Sequence, residues 1–355
     1  MNTVVQSLFD HRIVSGPDAL QALEEEIAIL FERKFVILCD ANTAAYCLPL
    51  LLREVPSLTD APVITVPAGE SGKTIKQAIA IWNELTGLQV GRNAVLLNLG
   101  GGVVTDLGGF AAACYLRGIS FVQLPTSLLA QVDAAIGGKT GVDLHQAKNR
   151  VGLTVFPQAV YCWPGFFNTL PEVEWESACG EVVKHALIAE NGLWDFFRMN
   201  GLTRSSVSEM MPVIQKVKLE VVAQDPYEKG LRKILNAGHT VGHAVESEAL
   251  SAASPIPHGL AVVIGILVEM EIAVTIGLLA PEIAGAIRAQ LDGWFSLPSI
   301  SGFSPDQLLK WMRMDKKNEK GVILFSLITG IGDCRWNVPV GEEVILSVLK
   351  NYCKG

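Results

Sequence analysis

Three histidines and one glutamate in the second half of the chain have the types and spacing of metal ligands. In "GEVVKHALI", Glu181 and Lys184 are three residues apart, which places both side chains on one face of a helix. In "LNAGHTVGH", His239 and His243 are one helical turn apart, and His258 begins "HGLAV". A carboxylate with imidazoles is the ligand set of a catalytic zinc ion. A histidine pair at this spacing also occurs on packed helix faces, so both interpretations stay open.

The segment "HTVGH" differs from the metalloprotease motif H-E-x-x-H, because Val241 and Gly242 stand between the histidines and no glutamate is available there as a general base. A peptidase is therefore disfavoured. Arg232 and Asn236 precede these histidines closely. Charged and amide groups beside imidazoles favour a polar site over a plain packed face.

A second group of candidate residues follows apolar runs in the first half. The run "NAVLLNL" leads directly into "GGGVVTDLGG", residues 100–109. Glycines at a strand-to-helix turn let a pyrophosphate approach backbone N–H groups. The spacing departs from G-x-G-x-x-G, since Thr105 stands where the last glycine belongs. A nucleotide-binding turn and a simple glycine-rich turn are both compatible with this segment, and Asp106 is either a ligand contact or a partner of the helix dipole.

Residues 124–149, "LPTSLLAQVDAAIGGKTGVDLHQAKN", are too apolar overall for a surface segment, yet they carry several polar groups. Charged side chains are rarely buried unless they pair or bind a ligand. Together these groups predict a polar pocket, although each alone could form a structural ion pair. They are Thr126, Ser127, Asp133, Lys139, Lys148 and Asn149.

The segment "PAGESGKT", residues 67–74, superficially resembles the phosphate-binding loop of ATPases. That loop requires glycine at its first position, where this chain has Pro67. Proline fixes φ and removes an N–H donor, so the loop could not turn its backbone toward a triphosphate. The ATPase interpretation is disfavoured, and Lys73 taken alone would be a solvated residue at a helix start.

The elements that must position these groups are predicted from apolar periodicity. Apolar runs alternate with helical patterns over residues 1–165, which indicates a parallel, Rossmann-like sheet covered on both faces. Residues 166–355 form a mostly α-helical second domain in this interpretation, with one late strand or strand pair at 322–328. The predicted strands lie at 35–39, 62–66, 94–99, 120–124 and 159–162, and the predicted helices near 172–200, 204–224, 237–250, 258–279, 282–296 and 305–315.

Composition limits the possible partners of the 355-residue chain. Acidic residues outnumber basic ones by 36 to 28, and no basic run could neutralise a line of phosphates, so nucleic acid is excluded as a partner. The seven cysteines are scattered singly, which is typical of reduced thiols. The longest apolar run, residues 260–268, is shorter than the roughly 20 residues of a membrane span. We expect a cytoplasmic protein without a membrane segment.

Six sequence blocks, in order and over nearly the whole chain, resemble the 3-dehydroquinate synthase family. This resemblance implies a Rossmann-like N-terminal domain, a helical C-terminal domain and a homodimer. It also implies bound NAD, and a divalent metal that is most often zinc, with cobalt possible. The implied substrate is a phosphorylated sugar acid, 3-deoxy-D-arabino-heptulosonate 7-phosphate, converted to 3-dehydroquinate and phosphate. The blocks are "GGGVVTDLGGFAAACYLRGISFVQLPTSLLAQVDAAIGGKTGVDL", "KNRVG", "LPEVEWESACGEVVKHALI", "LNAGHTVGHAVE", "HGLAV" and "MDKKNEKG".

The same resemblance assigns roles to individual residues. It implies metal ligation by Glu181, His239 and His258. It implies NAD contacts from Asp40, Asn42, Glu70, Lys73, Gly101, Gly102, Val103, Asp106, Thr126, Ser127, Lys139, Lys148, Phe166 and Thr169. It implies substrate contacts from Asp133, Lys139, Asn149, Lys184, Lys218, Arg232, Asn236 and His243, from Lys316 or Lys317, and from Arg117 across the dimer.

Three positions depart from the family pattern. Leu260 stands where the family commonly has glutamate, Ser127 replaces threonine and His185 replaces tyrosine. We interpret His185 as a packed core residue rather than a competing ligand. Related alternatives are another sugar-phosphate cyclase, such as 2-deoxy-scyllo-inosose synthase, and a metal-dependent polyol dehydrogenase. A non-catalytic NAD-binding protein is disfavoured by the intact acidic, histidine and lysine set.

Overall fold

The structure is a computed structural model that describes residues 2–9, 11–30, 32–144, 147–314 and 322–354. The chain divides into two compact units, unit 1 ending at Pro171 and unit 2 beginning at Glu172. The sequence-based division between 165 and 166 lies slightly earlier, within the short 3-10 segment Pro164–Thr169.

Unit 1 is built on a twisted, mainly parallel sheet. Its described strands are β1 (Val4–Leu8), β2 (His11–Ser15), β3 (Phe35–Asp40), β4 (Val63–Val66), β5 (Val95–Gly100), β6 (Ser120–Pro125), β7 (Lys139–Leu144), β8 (Ala147–Thr154) and β9 (Ala159–Cys162). Seven of these described strands form one sheet in the order β1-β2-β9-β6-β5-β3-β4, in which β1 and β2 alone pair antiparallel. The remaining two, β7 and β8, form an antiparallel hairpin.

Helices cover both faces of this sheet, as continuous apolar strands require. They are α1 (Ala19–Ile29), α2 (Ala41–Tyr46), α3 (Leu48–Glu54), α4 (Ile75–Gly87) and α5 (Gly102–Cys114). Alternate residues of β3 enter two separate cores, Ile37 and Cys39 on one side and Val36 and Leu38 on the other. The Rossmann-like prediction is therefore confirmed, and all five predicted strands are present as β3, β4, β5, β6 and β9.

Unit 2 is mostly helical, as predicted. Its described helices are α6 (Glu172–Ile188), α7 (Leu193–Asn200), α8 (Arg204–Gln224), α9 (His239–Ser251), α10 (His258–Thr275), α11 (Pro281–Trp294), α12 (Pro305–Arg313) and α13 (Glu342–Cys353). The predicted helix over 172–200 is wrong in one respect: it is two helices, because Gly192 adopts a left-handed conformation between them. The late strand is a pair, β10 (Leu324–Gly330) and β11 (Asp333–Pro339).

Glycines let three helices of unit 2 approach each other at backbone distance. A Cβ atom on Gly259 of α10 would overlap the backbone oxygen of Ser177 in α6. A Cβ on Gly180 would in turn overlap the carbonyl of Gly259. Similarly, a Cβ on Gly265 would overlap the carbonyl of Gly238, at the start of α9. Helices α6 and α9 therefore both pack closely against α10.

Helix α10 is long and apolar enough to pass for a membrane span, and it is the one helix with that property in the described part of the chain. Most of its length is buried inside unit 2. A core helix has the same composition as a membrane span, so burial explains its apolar character.

Replacing Gly259 with alanine should weaken the contact between α6 and α10. Because the new methyl group would meet backbone rather than a flexible side chain, we expect a loss of about 1–3 kcal/mol in stability. Thermal unfolding of the Gly259→Ala protein measures this loss.

The matched control is Gly285→Ala on α11, where an added Cβ meets nothing within 4 Å. Alanine is the better helix former by about 1 kcal/mol, so this variant should be neutral or slightly more stable. Equal unfolding midpoints for the two variants would contradict the close helix contact.

Candidate functional site

Helix α6 carries a fully buried acidic side chain. Glu181 is 0% exposed and forms an ion pair with Lys184, which is 1% exposed, one turn further along the helix. Burial alone would raise the pKa of the Glu181 carboxyl. The charges of Lys184 and His239 outweigh this effect and hold that pKa well below its usual range. Glu181 is therefore ionised at neutral pH, as a metal ligand must be.

Two imidazoles face the same oxygen of Glu181. The Oε1 atom lies 3.4 Å from Nε2 of His239 and 3.7 Å from Nε2 of His258. Although it is buried, this oxygen accepts no hydrogen bond within the described residues. A buried carboxylate oxygen that faces two ring nitrogens without a hydrogen bond fits a position beside a cation.

The far nitrogen of each imidazole has an oxygen partner. Nδ1 of His239 lies 3.1 Å from the carbonyl oxygen of Ala237, and Nδ1 of His258 lies 3.1 Å from Oε2 of Glu246. Burial would lower the pKa of His258, but the carboxylates of Glu181 and Glu246 outweigh it and raise that pKa. Such partners orient metal-binding histidines, and a metal ion bound at Nε2 of His258 would displace the proton that this nitrogen carries.

His243 lies beside these two histidines. Its ring centroid is 5.1 Å from that of His239 and 5.8 Å from that of His258, and all three residues offer ring nitrogens within 4.8 Å of one another. The structure thus brings together the four predicted side chains of this cluster, Glu181, His239, His243 and His258. The individual roles implied by the family resemblance stay predictions.

Helix α9 begins at the site and is capped from another helix. Gly238, the residue before His239, donates its N–H to Oε2 of Glu269 at 2.7 Å. Val241 donates to Oε1 of the same carboxylate at 3.1 Å. Sequence reasoning missed both Glu246 and Glu269. Glu246 stands in the quoted block "GHAVE", whereas Glu269 only marked the end of an apolar run.

The predicted basic and amide residues of unit 2 cluster just before α9. Arg232 is 2% exposed and donates from Nη1 to the carbonyl of Pro226 at 2.6 Å. Asn236 donates to Oε1 of Glu228 at 2.7 Å. Lys218 is buried on α8, which packs against the 3-10 segment Leu231–Asn236. His185 is fully buried in α6, and one of its ring nitrogens lies within 4.8 Å of a carboxylate oxygen of Glu181, so its interpretation as a core residue stays a prediction.

In unit 1 most of the predicted nucleotide residues lie at one edge of the sheet. They follow the carboxyl ends of five neighbouring parallel strands, which is where doubly wound folds bind ligands. Asp40 ends β3 and Asn42 follows it; Glu70 and Lys73 follow β4; Gly101, Gly102, Val103 and Asp106 follow β5; Thr126 and Ser127 follow β6; Phe166 and Thr169 follow β9.

Lys73 links two of these segments to the β7–β8 hairpin. Its Nζ donates to Oδ2 of Asp106 and to Oδ1 of Asn149, both at 2.6 Å, and the residue is 4% exposed. Burial would lower the pKa of Lys73, but Asp106 and Glu70 outweigh it and raise that pKa. The interpretation of Lys73 as a solvated helix-start residue is therefore wrong: its side chain turns inward to two acceptors.

Several other predicted residues at this edge of the sheet make local hydrogen bonds and close contacts. Asp40 caps α2 by accepting from the N–H of Thr43 at 2.8 Å, and Oγ of Ser127 accepts from the N–H of Ala130 at 3.2 Å. Thr169 lies 3.4 Å from the sulfur of Cys47, measured from its Oγ1. These contacts fix loop ends and helix starts along this edge of the sheet.

The remaining predicted residues lie on other elements. Asp133 lies in a π-helical turn, Ala130–Ala134, while Lys139 and Lys148 are exposed on the β7–β8 hairpin. Arg117 is exposed beyond the end of α5 that is opposite the glycine-rich turn. Lys316 and Lys317 lie outside the described residues.

Both halves of the chain match family models of known proteins. Residues 63–177 match the model of the 3-dehydroquinate synthase N-terminal domain, and residues 178–318 match that of the C-terminal domain. Among curated relatives, the 3-dehydroquinate synthase of Parabacteroides distasonis is 35% identical over 97% of this chain and 98% of its own length. That of Sulfurovum sp. is 37% identical over 91% and 92%.

Solved structures agree on the fold. A 2-deoxy-scyllo-inosose synthase complexed with carbaglucose-6-phosphate, NAD+ and Co2+ superposes with a TM-score of 0.86 at 24% identity, covering 99% of this chain and 100% of that one. The 2-epi-5-epi-valiolone synthase of Streptomyces hygroscopicus subsp. jinggangensis, with NAD+ and Zn2+ bound, reaches 0.84 at 25% identity and 99% of both chains. The family matches in both halves and the near full-length relatives show that this chain belongs to the 3-dehydroquinate synthase family.

Proposed function

We propose that the chain is a carbon–oxygen lyase that converts 3-deoxy-D-arabino-heptulosonate 7-phosphate to 3-dehydroquinate and phosphate, using NAD and a divalent metal ion. The observation that carries this proposal is the convergence of Glu181, His239 and His258 in unit 2. Curated relatives with that activity, similar over nearly their whole length, support it. The zinc structure of the related valiolone synthase favours a divalent ion of this class.

The three side chains fit such an ion in both type and spacing. Zinc ligands lie about 2.0–2.2 Å from the metal, so two of them at a tetrahedral angle lie about 3.4 Å apart. The distances from Glu181 Oε1 to the imidazole nitrogens are 3.4 and 3.7 Å. Glu181, His239 and His258 would therefore hold the ion and leave coordination positions open for substrate oxygens.

When bound, NAD and the metal ion supply reversible oxidation of a substrate alcohol and polarisation of its oxygen. The chain supplies charge and orientation. Lys184 neutralises Glu181 and keeps its carboxylate in place. Lys218 and Arg232 are buried cations, and a phosphorylated sugar acid carries anionic groups that such cations bind through charge-assisted hydrogen bonds.

For unit 1 we propose that the residues at the carboxyl edge of its sheet hold NAD. Lys73 would hold Asp106, at this edge, next to Asn149 of the β7–β8 hairpin, because one ammonium group donates to both. The homodimer, with Arg117 reaching the partner's substrate, is a further proposal from the family resemblance. Light scattering of the purified chain tests the dimer.

Phosphate release tests the proposed reaction. With the heptulosonate phosphate and catalytic NAD, we expect phosphate to appear without net NADH, because the hydride is returned within each turnover. A chelator should abolish release, and added Zn2+ or Co2+ should restore it. Stoichiometric NADH from a polyol would select the dehydrogenase alternative instead, and turnover of glucose 6-phosphate would select the inosose synthase.

The Glu181→Gln variant tests the acidic ligand. It should lose metal affinity by about 100-fold or more, since a neutral amide is a poor ligand and Lys184 is left as an unpaired buried charge. Metal content after dialysis, measured by atomic absorption, reports the loss. Glu174→Gln, on the exposed first turn of the same helix, is the control and should keep its metal. Equal metal content in both variants would exclude Glu181 as a ligand.

The Lys73→Met variant tests the nucleotide edge. Removing the ammonium group leaves Asp106 and Asn149 without their common donor, so NAD affinity should fall by about 10-fold, in line with the loss of a charge-assisted hydrogen bond. Calorimetric titration with NAD measures the change. Lys76→Met, on an exposed position of α4, should bind NAD like the unaltered chain. An unchanged affinity in Lys73→Met would refute the assignment.

A further inference from the structure

The residue before helix α9 has no side chain with which to cap that helix. The N-cap position is Gly238, which has no side chain and a left-handed φ of 78°. A Cβ there would lie 2.6 Å from Cγ1 of Ile266 and 2.7 Å from the carbonyl oxygen of Val262, both in α10. The serine, threonine or aspartate that usually caps a helix therefore does not fit at this position.

Helix α10 supplies the missing cap. Glu269 is 2% exposed, and its two carboxylate oxygens accept the N–H groups of Gly238 at 2.7 Å and Val241 at 3.1 Å. Val241 is the third residue of α9, whose N–H is a normal target of a helix cap. A negative charge at this end also favours the helix dipole. One carboxylate thus holds the first turn of α9 against α10.

The first residue of that turn is His239. Its Nδ1 lies 3.1 Å from the carbonyl of Ala237, so its ring is oriented by the same short stretch of backbone that Glu269 holds. His258 begins α10, the helix that carries Glu269. The carboxylate therefore ties the backbone of one imidazole residue to the helix of the other.

From these contacts we propose that Glu269 is a positioning residue for the metal centre: it sets the first turn of α9 so that His239 and His258 face Glu181 together. It touches neither the ion nor the substrate. The inference rests on the proposed function, because it concerns the metal ligands of that function, and it adds a residue to which neither the sequence motifs nor the family resemblance assigned a role.

The experiment compares Glu269→Gln with Glu271→Gln in the full-length chain. Glutamine has the size of glutamate, but its amide NH2 would face one of the two backbone N–H groups. Two donors cannot hydrogen-bond to each other, so one N–H group would lose its acceptor. Glu271 lies on the same helix, and its side chain is 45% exposed. Its Oε2 atom lies 3.8 Å from Nη2 of Arg288, so it is a matched control. The metal-stripped proteins are titrated with Co2+ and followed by the visible absorption of the bound ion.

We expect Glu269→Gln to bind Co2+ about 10–100-fold more weakly than the unaltered chain, with shifted absorption bands, as for other groups that orient metal ligands. Glu271→Gln should match the unaltered chain in affinity and spectrum. Circular dichroism checks folding. If Glu269→Gln does not fold, Glu269→Asp replaces it: it keeps the charge but is too short to reach both N–H groups, and a smaller loss in the same direction is expected.

Unchanged Co2+ affinity and bands in a folded Glu269 variant would overturn the inference, even if its unfolding temperature were lowered, because a merely structural cap would show that pattern. A different result would refute the proposed function. If the unaltered chain binds Co2+ but releases no phosphate from the heptulosonate phosphate, the reaction is wrong, while the comparison of the two glutamate variants still decides the role of Glu269.

Discussion

The backbone contact between α6, α9 and α10 is the constraint on which the candidate metal centre depends. Gly180 and Gly259 remove the Cβ atoms that would hold α6 and α10 apart, and each is the sequence neighbour of a predicted ligand, Glu181 or His258. Gly238 does the same at the start of α9, next to His239. Small residues therefore bring short ligand side chains within the few ångströms that one ion spans.

Charge pairing offsets the cost of burying the carboxylate of this cluster. A fully buried carboxylate is costly unless it is paired, and Lys184 pairs with Glu181 inside the same helix. Two further carboxylates lie next to the histidine residues. Glu246 contacts the ring of His258, and Glu269 accepts a hydrogen bond from the backbone just before His239. In unit 1 the buried charge is a cation: the ammonium group of Lys73 forms an ion pair with Asp106.

Much of this could be predicted from sequence because apolar runs and site blocks are local signals. The five neighbouring parallel strands β9, β6, β5, β3 and β4 and most helices follow from periodicity. Strands β1, β2, β7 and β8 were missed because their polar and glycine residues hide the pattern. Glu269 was missed for a different reason: its role depends on which helix lies opposite it, and periodicity along one helix does not identify that neighbour.

If three side chains of unit 2 share one ion, anomalous diffraction from crystals grown with Zn2+ will locate it. We expect a single zinc peak in that unit about 2.0–2.2 Å from Glu181 Oε1 and from the Nε2 atoms of His239 and His258. A zinc ion held by the three histidines with Glu181 outside its coordination sphere, or a peak away from this cluster, would contradict it.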